Sequence, residues 1–431
     1  MSNPLNTPYW WDAAGPKLKS LATLPETLPT KVGTLIVGAG YTGLHAALTL
    51  ARSGRDVIVV DAEHPGFGCS ARNGGLIGPS FHKLGVAGLN AAFGTQKATE
   101  ILQESMDSLQ YLKDFISNED LDTGLHLTGR FRGAPRPEHY ETIARDCEMF
   151  AKTVGQAFHM IPKSEQHAEI GTDYYNGGVV YPDDGHLHPG KYAASLAEMV
   201  IDAGATIIAP ARVSGIQTDG TKHAVHIKDQ TIVADQVLIA TNGYTGPELP
   251  WYRRRVMPIR SAIICTEELS PEMMQSLSPK NRGFGDGSRL VLYYRPSPDG
   301  KRMVFGGRAF NLRDKPENYT PDLLWQMLRI FPQLEGVKLS HTWSGTVAYT
   351  FNHAPAVGQH KGLFHAMGYC GSGIGRASYF GHKIALQMLG DPKGKTALDG
   401  LSFPTKPFYT GTPWFLPAIL RWNSVMDRFG R

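Results

Sequence analysis

The sequence predicts an α/β protein: a Rossmann-like domain assembled from separated stretches of chain, with an antiparallel β-sheet domain inserted into it. Three observations carry this. Residues 33–63 run strand, glycine turn, helix, strand, the compact unit of about 30 residues that a β-α-β crossover needs. Residues 362–389 repeat the strand, glycine turn, helix order. Between these two regions, alternating and β-branched runs replace the helical period.

The first crossover begins with GTLIVGAG, a β-rich run entering a turn. Leu44, Ala47, Leu48 and Ala51 follow at i, i+3, i+4 and i+7, one apolar stripe of a helix. Gly54 and Arg55 end that helix, and VIVVDA reads as a second buried strand. The turn is Gly38-Ala39-Gly40-Tyr41-Thr42-Gly43, a GxGxxG. Gly38 permits the tight turn, Gly40 lets backbone approach a pyrophosphate, and Gly43 lets the helix lie close to the strand. The helix start offers free N–H groups and a partial positive charge to phosphates, with Tyr41 and Thr42 in its first turn. Asp61 and Ala62 close the second strand, where a carboxylate accepts hydrogen bonds from ribose hydroxyls. This is a dinucleotide site.

FAD and NAD sites share such a turn, and the next segment separates them. Gly66 to Gly75, GFGCSARNGG, is a small-residue loop directly after the acid-bearing strand. An NAD site gives no reason for it, whereas a bulky flavin lying against backbone does. Ser70, Ala71, Arg72, Asn73, Gly74 and Gly75 are therefore expected FAD contacts. No second GxGxxG lies between clear strands, and GFGDG at 283–287 reads as a loop without a helix behind it. Electrons are thus expected from an organic substrate and not from NADPH.

Five motifs occur in order: GAGYTG, GFGCSARNGG, DGHLHP, ATNGYTG and GYCGSGIG. In this combination the chain resembles the D-amino-acid oxidase-like (DAO) family of FAD-dependent oxidoreductases, in its gamma-glutamylputrescine oxidase branch. The terminal stretches PYWWDA and PWFLPAILRWNSVMDRFG fit that branch too, so the resemblance covers nearly the whole chain. It implies a discontinuous, glutathione-reductase-type FAD-binding domain of residues 1–90, 181–250 and 340–431. Residues 91–180 and 251–339 then supply a helical segment and the substrate-binding β-sheet domain. Ala98, Leu102, Leu109, Leu112 and Ile116 keep a helical spacing in the former. In the latter, SRLVLYYR and KRMVFGGRAF are joined by the turn Ser297-Pro298-Asp299-Gly300.

Within the FAD-binding pieces, Tyr192 to Ala203 reads as a helix and TIIAPARV as a strand whose Val213 end serves the adenine side. Ala240, Thr241 and Asn242 end another strand with small residues beside the dinucleotide. The resemblance places Gly371, Ser372, Gly373, Ile374 and Gly375 at the flavin's pyrimidine end, where backbone N–H groups meet negative charge.

The reaction this implies is amine oxidation. A carbon next to nitrogen gives up hydride to flavin N5, and water hydrolyses the imine. The partners are a small amine or amino acid, gamma-glutamylputrescine-like or a secondary amino acid, and oxygen, which yields hydrogen peroxide. A quinone or electron-transfer flavoprotein as acceptor, an NADPH-dependent monooxygenase and a non-catalytic FAD-binding protein stay open. The sarcosine-oxidase branch of the family bonds its flavin to a cysteine in the segment that here reads WSGTVAYTFNHAP. No cysteine stands there, so FAD is expected to be noncovalent. That branch also carries an oxygen-assisting lysine in the strand matching RMVFGG; here that run is apolar and Lys301 comes too early.

Arginines are the candidates for a substrate carboxylate. Arg308 follows two glycines at a strand end, Arg130 and Arg132 alternate in TGRFRGA, and Arg376 follows the last glycine turn. His82 and Lys83, after the flavin loop, are pocket candidates. His186 and His188 form an HxH pair without a third ligand cluster, so a structural role is expected and no metal. Cys370 reads as a small packed residue and Trp10 and Trp11 as apolar plugs. The closing PWFLPAILRW reads as a packed terminal helix.

The chain has 431 residues, a net charge of +4 and four scattered cysteines. Such a charge gives no reason for a nucleic-acid partner, and the cysteine spacing disfavours disulfides and zinc. No apolar run reaches about 18 residues and no signal segment opens the chain, so a cytoplasmic location without membrane contact is expected.

Overall fold

The computed structural model describes residues 3–79, 84–287, 291–308, 315–419, 422 and 426. The opening crossover forms as strand Lys31–Val37, helix Tyr41–Arg52 and strand Val57–Val60. Its strands pair in parallel, Thr34 beside Val57 and Val37 beside Val60. A parallel strand covered on both faces needs a continuous apolar run, and all four residues of Val57–Val60 are buried. The sheet continues one way to Thr206–Ile208 and the other way through Gln230–Ile239 and Leu363–Met367 to Ala356–His360. The meander Val213–Asp219 and Lys222–Ile227 is appended to Gln230–Ile239.

Gly43 has the packing role expected of it: a Cβ there would overlap the Gly38 carbonyl oxygen and touch Ile36. Helix Gly373–Leu389 packs on Tyr41–Arg52 at the same closeness, since a Cβ at Gly381 would overlap the Thr42 carbonyl oxygen. The two glycine turns are thereby brought to one end of the sheet.

A second sheet runs in the order Leu339–Thr350, Val256–Thr266, Met303–Arg308, Tyr293–Pro296, Gly283–Asp286, Arg130–Gly133, Gly178–Tyr181, His159–Ile161. Its pairs are antiparallel except Gly283–Asp286 with Arg130–Gly133, which is parallel. That junction joins the two inserted segments, so no hairpin turn fixes its direction. Side chains alternate between the faces. Phe131, Phe284, Tyr294 and Phe305 are buried on one face, the last three stacked at 5.2 and 5.1 Å. Arg130, Arg132 and Tyr293 take the other.

Three sequence expectations shift. GFGDG is not a loop: Gly283–Asp286 is a strand, because Phe284 completes the aromatic face. TIIAPARV is not one strand: it stops at Ile208, ahead of Pro210, which lacks an N–H for the ladder. Leu339–Thr350, read with the FAD-binding residues, is the edge strand of the second sheet, paired along its length with Val256–Thr266. An alternating run serves either sheet, and only the partner strand decides. In the closing segment Leu416 is buried, but Trp414 is 70% exposed and Ile419 47% exposed, so the packing is partial. No described helix is long and apolar enough to cross a membrane.

Candidate active site

A cavity of about 670 Å³ is lined by residues of both sheets. One end is lined by Gly38, Gly40, Tyr41, Thr42, Asp61 and Ala62, with Val213, Ala240, Thr241 and Asn242 beside them. The far wall carries Arg130, Arg132, Tyr293 and Arg308. Residues of the 66–75 loop and of the turn at 371–375 also line it, with Gly371 near Tyr349 and Arg308 and Gly74 against Tyr293.

The first end is built by backbone. Gly38 has φ +115°, and a Cβ there would stand 2.8 Å from the Ala240 carbonyl oxygen. Helix Tyr41–Arg52 starts at Gly40 without a side-chain cap, so its first-turn N–H groups lack intrahelical acceptors. The Tyr41 N–H donates to Ser70 Oγ at 3.0 Å, which hooks the flavin loop onto the helix start. Asp61 Oδ2 accepts from the Ala39 N–H at 2.7 Å and Oδ1 from the Glu63 N–H at 2.9 Å. Burial pushes its carboxyl up to about 6, against the lowering by those two N–H groups.

The flavin loop is locked from behind. Asn73 Nδ2 donates to the Cys69 and Ser70 carbonyls, and Asn73 Oδ1 accepts from the Gly75 N–H. Arg72 lies over the neighbouring Trp11 and Phe67 rings, 4.6 Å from each centroid, and donates to the Phe67 and Ser344 carbonyls. Trp10 is fully buried and donates to the Asn73 carbonyl at 2.8 Å. Ser70, Arg72, Asn73, Gly74 and Gly75 line the cavity; Ala71 and Gly43 sit behind it as packing residues. The later turn has Cys370 at φ +56° and Gly371 at +106°. Helix Gly373–Leu389 then begins at Ser372 with no side-chain cap, a second helix start facing the cavity.

The arginines separate by their partners. Arg308 Nη2 donates to the Tyr349 hydroxyl at 2.5 Å. Among the described residues it has no acidic partner. Arg132 lines the cavity with neither a hydrogen bond nor an ion pair among the described residues. Arg130 is 2.8 Å from Asp184, which is fully buried, and stacks on Tyr181. Burial pushes the Asp184 carboxyl up to about 6, and Arg130 opposes that. Arg376 is buried, donates to Ser105 Oγ at 2.7 Å, and is pushed down to about 10 by burial. His82 and Lys83 lie outside the described residues. His186 bonds the Asn281 carbonyl and His188 Nδ1 accepts from the Lys191 N–H, both structural roles. Lys301 sits at the hairpin, 4.0 Å from Glu268.

Sequence reasoning missed Tyr349, Tyr293 and Ser261. The Tyr293 and Ser261 hydroxyls are 2.8 Å apart on the cavity wall, and burial pushes the Tyr293 phenol up to about 12. Each is one residue of a β run. The phase of the alternation relative to Arg308 was the only available signal.

Two uncapped helix starts, a terminal-strand carboxylate and glycine walls that a Cβ would fill suit a dinucleotide, and the cavity they line also takes in the arginine-bearing sheet face. The chain belongs to the DAO family, FAD dependent oxidoreductase, whose pattern matches residues 34–386. It is 30% identical to the probable oxidoreductase OrdL of Rhizobium meliloti (strain 1021), over 99% of each chain. It is 28% identical to the gamma-glutamylputrescine oxidoreductase of Escherichia coli (strain K12), again over 99% of each. The fold is similar to that of glycine oxidase from Geobacillus kaustophilus, with a TM-score of 0.71 and 20% identity, covering 88% of this chain and 99% of that one. The protein is an FAD-dependent oxidoreductase.

Proposed function

We propose that this enzyme oxidises the C–N bond of an amine that carries a carboxylate, such as an N-substituted amino acid or a gamma-glutamylputrescine-like conjugate. The observation that carries the reading is Arg308: a guanidinium on the wall of the cofactor cavity, aimed by Tyr349, with no acid among the described residues to neutralise it. The Escherichia coli relative, named for an amine substrate, supports it.

The Gly38–Gly43 turn, Asp61 and the 66–75 loop would hold noncovalent FAD, which would supply the two-electron acceptor for oxidation of the carbon beside nitrogen. Arg308 fixes the carboxylate through charged hydrogen bonds. Tyr349 and the Tyr293–Ser261 pair shape the wall that excludes water. The start of helix Gly373–Leu389 offers N–H groups to negative charge building nearby. Positioning and desolvation suffice for a neutral amine, so no side-chain base is needed.

Oxygen is the proposed final acceptor, giving hydrogen peroxide. No lysine lines the cavity among the described residues, which favours keeping a quinone or flavoprotein acceptor as a second reading. An anaerobic screen of amines and amino acids tests the substrate class through loss of the yellow absorbance. Bleaching by a carboxylate-bearing amine is expected; bleaching by NADPH alone would overturn the reading. Peroxide formed stoichiometrically on readmission of air separates oxygen from the other acceptors.

A further inference from the structure

Arg295 is among the largest fully buried side chains, 1% exposed. It lies on strand Tyr293–Pro296, behind the flavin loop. Nη1 donates to the Leu187 carbonyl at 2.6 Å and Nε to the Pro296 carbonyl at 2.8 Å, Nη2 has no hydrogen-bond partner, and the guanidinium lies 5.6 Å from the centroid of the Trp10 ring. No carboxylate lies within ion-pair distance among the described residues. A Cβ at Gly75 would stand 2.5 Å from Nη1, and Gly75 lines the cavity. The guanidinium is therefore one residue's thickness from the cavity wall at Gly75.

Burying a charge without a counter-charge is unfavourable. Two carbonyl acceptors do not require one, since a neutral amide donates to both. Burial pushes Arg295 down to about 9, so it stays protonated at neutral pH. The field of such a buried charge is screened less than that of a surface charge and reaches the neighbouring cavity.

We infer that Arg295 is a positioning charge for the cofactor: a buried cation that favours the negatively charged state of the bound flavin ring and raises its two-electron potential. It is not among the residues that line the cavity. The inference rests on FAD binding alone and not on the amine reading.

Sulfite tests it without any substrate. Its lone pair forms a bond to flavin N5 and leaves negative charge on the ring, with no other oxidant or reductant required. Arg295→Gln keeps N–H donors for the two carbonyls and removes the charge; Arg295→Lys keeps the charge. At saturating FAD, Arg295→Gln is expected to bind sulfite at least about tenfold more weakly and to have a potential lower by about 30 mV, the two-electron equivalent of tenfold. Arg295→Lys, at a pH low enough to keep a buried lysine charged, is expected to stay within about threefold of the unsubstituted enzyme. Sulfite affinity in Arg295→Gln equal to that of the unsubstituted enzyme would overturn the inference. So would equal weakening in both variants, which marks a packing role.

Discussion

The two ends of the cavity are made of different material. The dinucleotide end is made by backbone: Gly38 at positive φ against the Ala240 carbonyl, Gly43 against Gly38, and the start of helix Tyr41–Arg52 without a side-chain cap. The opposite wall is made by side chains on a β-face, namely Arg130, Arg132, Tyr293 and Arg308. Backbone sites tolerate almost no substitution and bind a fixed ligand. Side chains on a sheet face can be exchanged without moving the frame. In the function proposed above, one end would therefore specify FAD, and the other would set which amine is accepted.

The contrast is broken most severely at the first end. Gly43→Ala puts a methyl group into the Gly38 carbonyl, an overpacking against backbone worth about 3 kcal/mol or more. A purified variant without yellow colour and at least about 100-fold weaker in FAD titration is expected.

Next is the pair on one strand face. Arg130→Gln strands the buried Asp184, and breaking such a pair costs about 3–5 kcal/mol. Asp184 already titrates near 6 when folded, above the roughly 3.9 of an unfolded aspartate. Its contribution to stability is thus full below about 4 and is lost as pH rises through about 6. Losing Arg130 moves the folded value higher still. The melting-temperature deficit of Arg130→Gln should therefore be small at pH 5 and large at pH 8. Arg132→Gln, lacking a partner to strand, should melt like the unsubstituted protein at both.

Arg308→Gln is smaller in energy but sharper in meaning. Loss of a charged hydrogen bond, about 1.5–3 kcal/mol, lowers kcat/KM for a carboxylate-bearing amine roughly 10- to 150-fold, while FAD affinity is unchanged.

Smallest is the pH dependence of cofactor binding. Asp61 titrates near 6 without a ligand, so protonation favours the apo fold and this contribution fades as pH rises from about 4 through about 6. Ribose hydroxyls donate to the ionised form. FAD affinity should consequently fall, approaching tenfold per unit, as pH drops below about 6, and Asp61→Asn should flatten that slope in a pH series of FAD titrations.

The same contrast explains what the sequence made legible. A glycine required by positive φ or by a close backbone approach leaves a mark at a fixed position, so the GxGxxG turn, the 66–75 loop and the 371–375 turn were readable one residue at a time. Which way a side chain leaves a strand depends on register, and register depends on strands far away in sequence. Tyr349 faces the cavity only because Leu339–Thr350 pairs with Val256–Thr266. Arg130 and Arg132 look equivalent in TGRFRGA, and Asp184, more than 50 residues on, makes one of them an ion pair. Arg295 stood in SRLVLYYR with nothing to show that it is buried.

The most direct test uses matched amines, one bearing a carboxylate and one with that group replaced by a methyl. Each is mixed anaerobically with the FAD-loaded enzyme and with Arg308→Gln, and the rate of flavin bleaching is followed. The account predicts that the unsubstituted enzyme prefers the carboxylate-bearing amine at least about tenfold and that Arg308→Gln loses most of this preference. A preference that survives the substitution undiminished would contradict it.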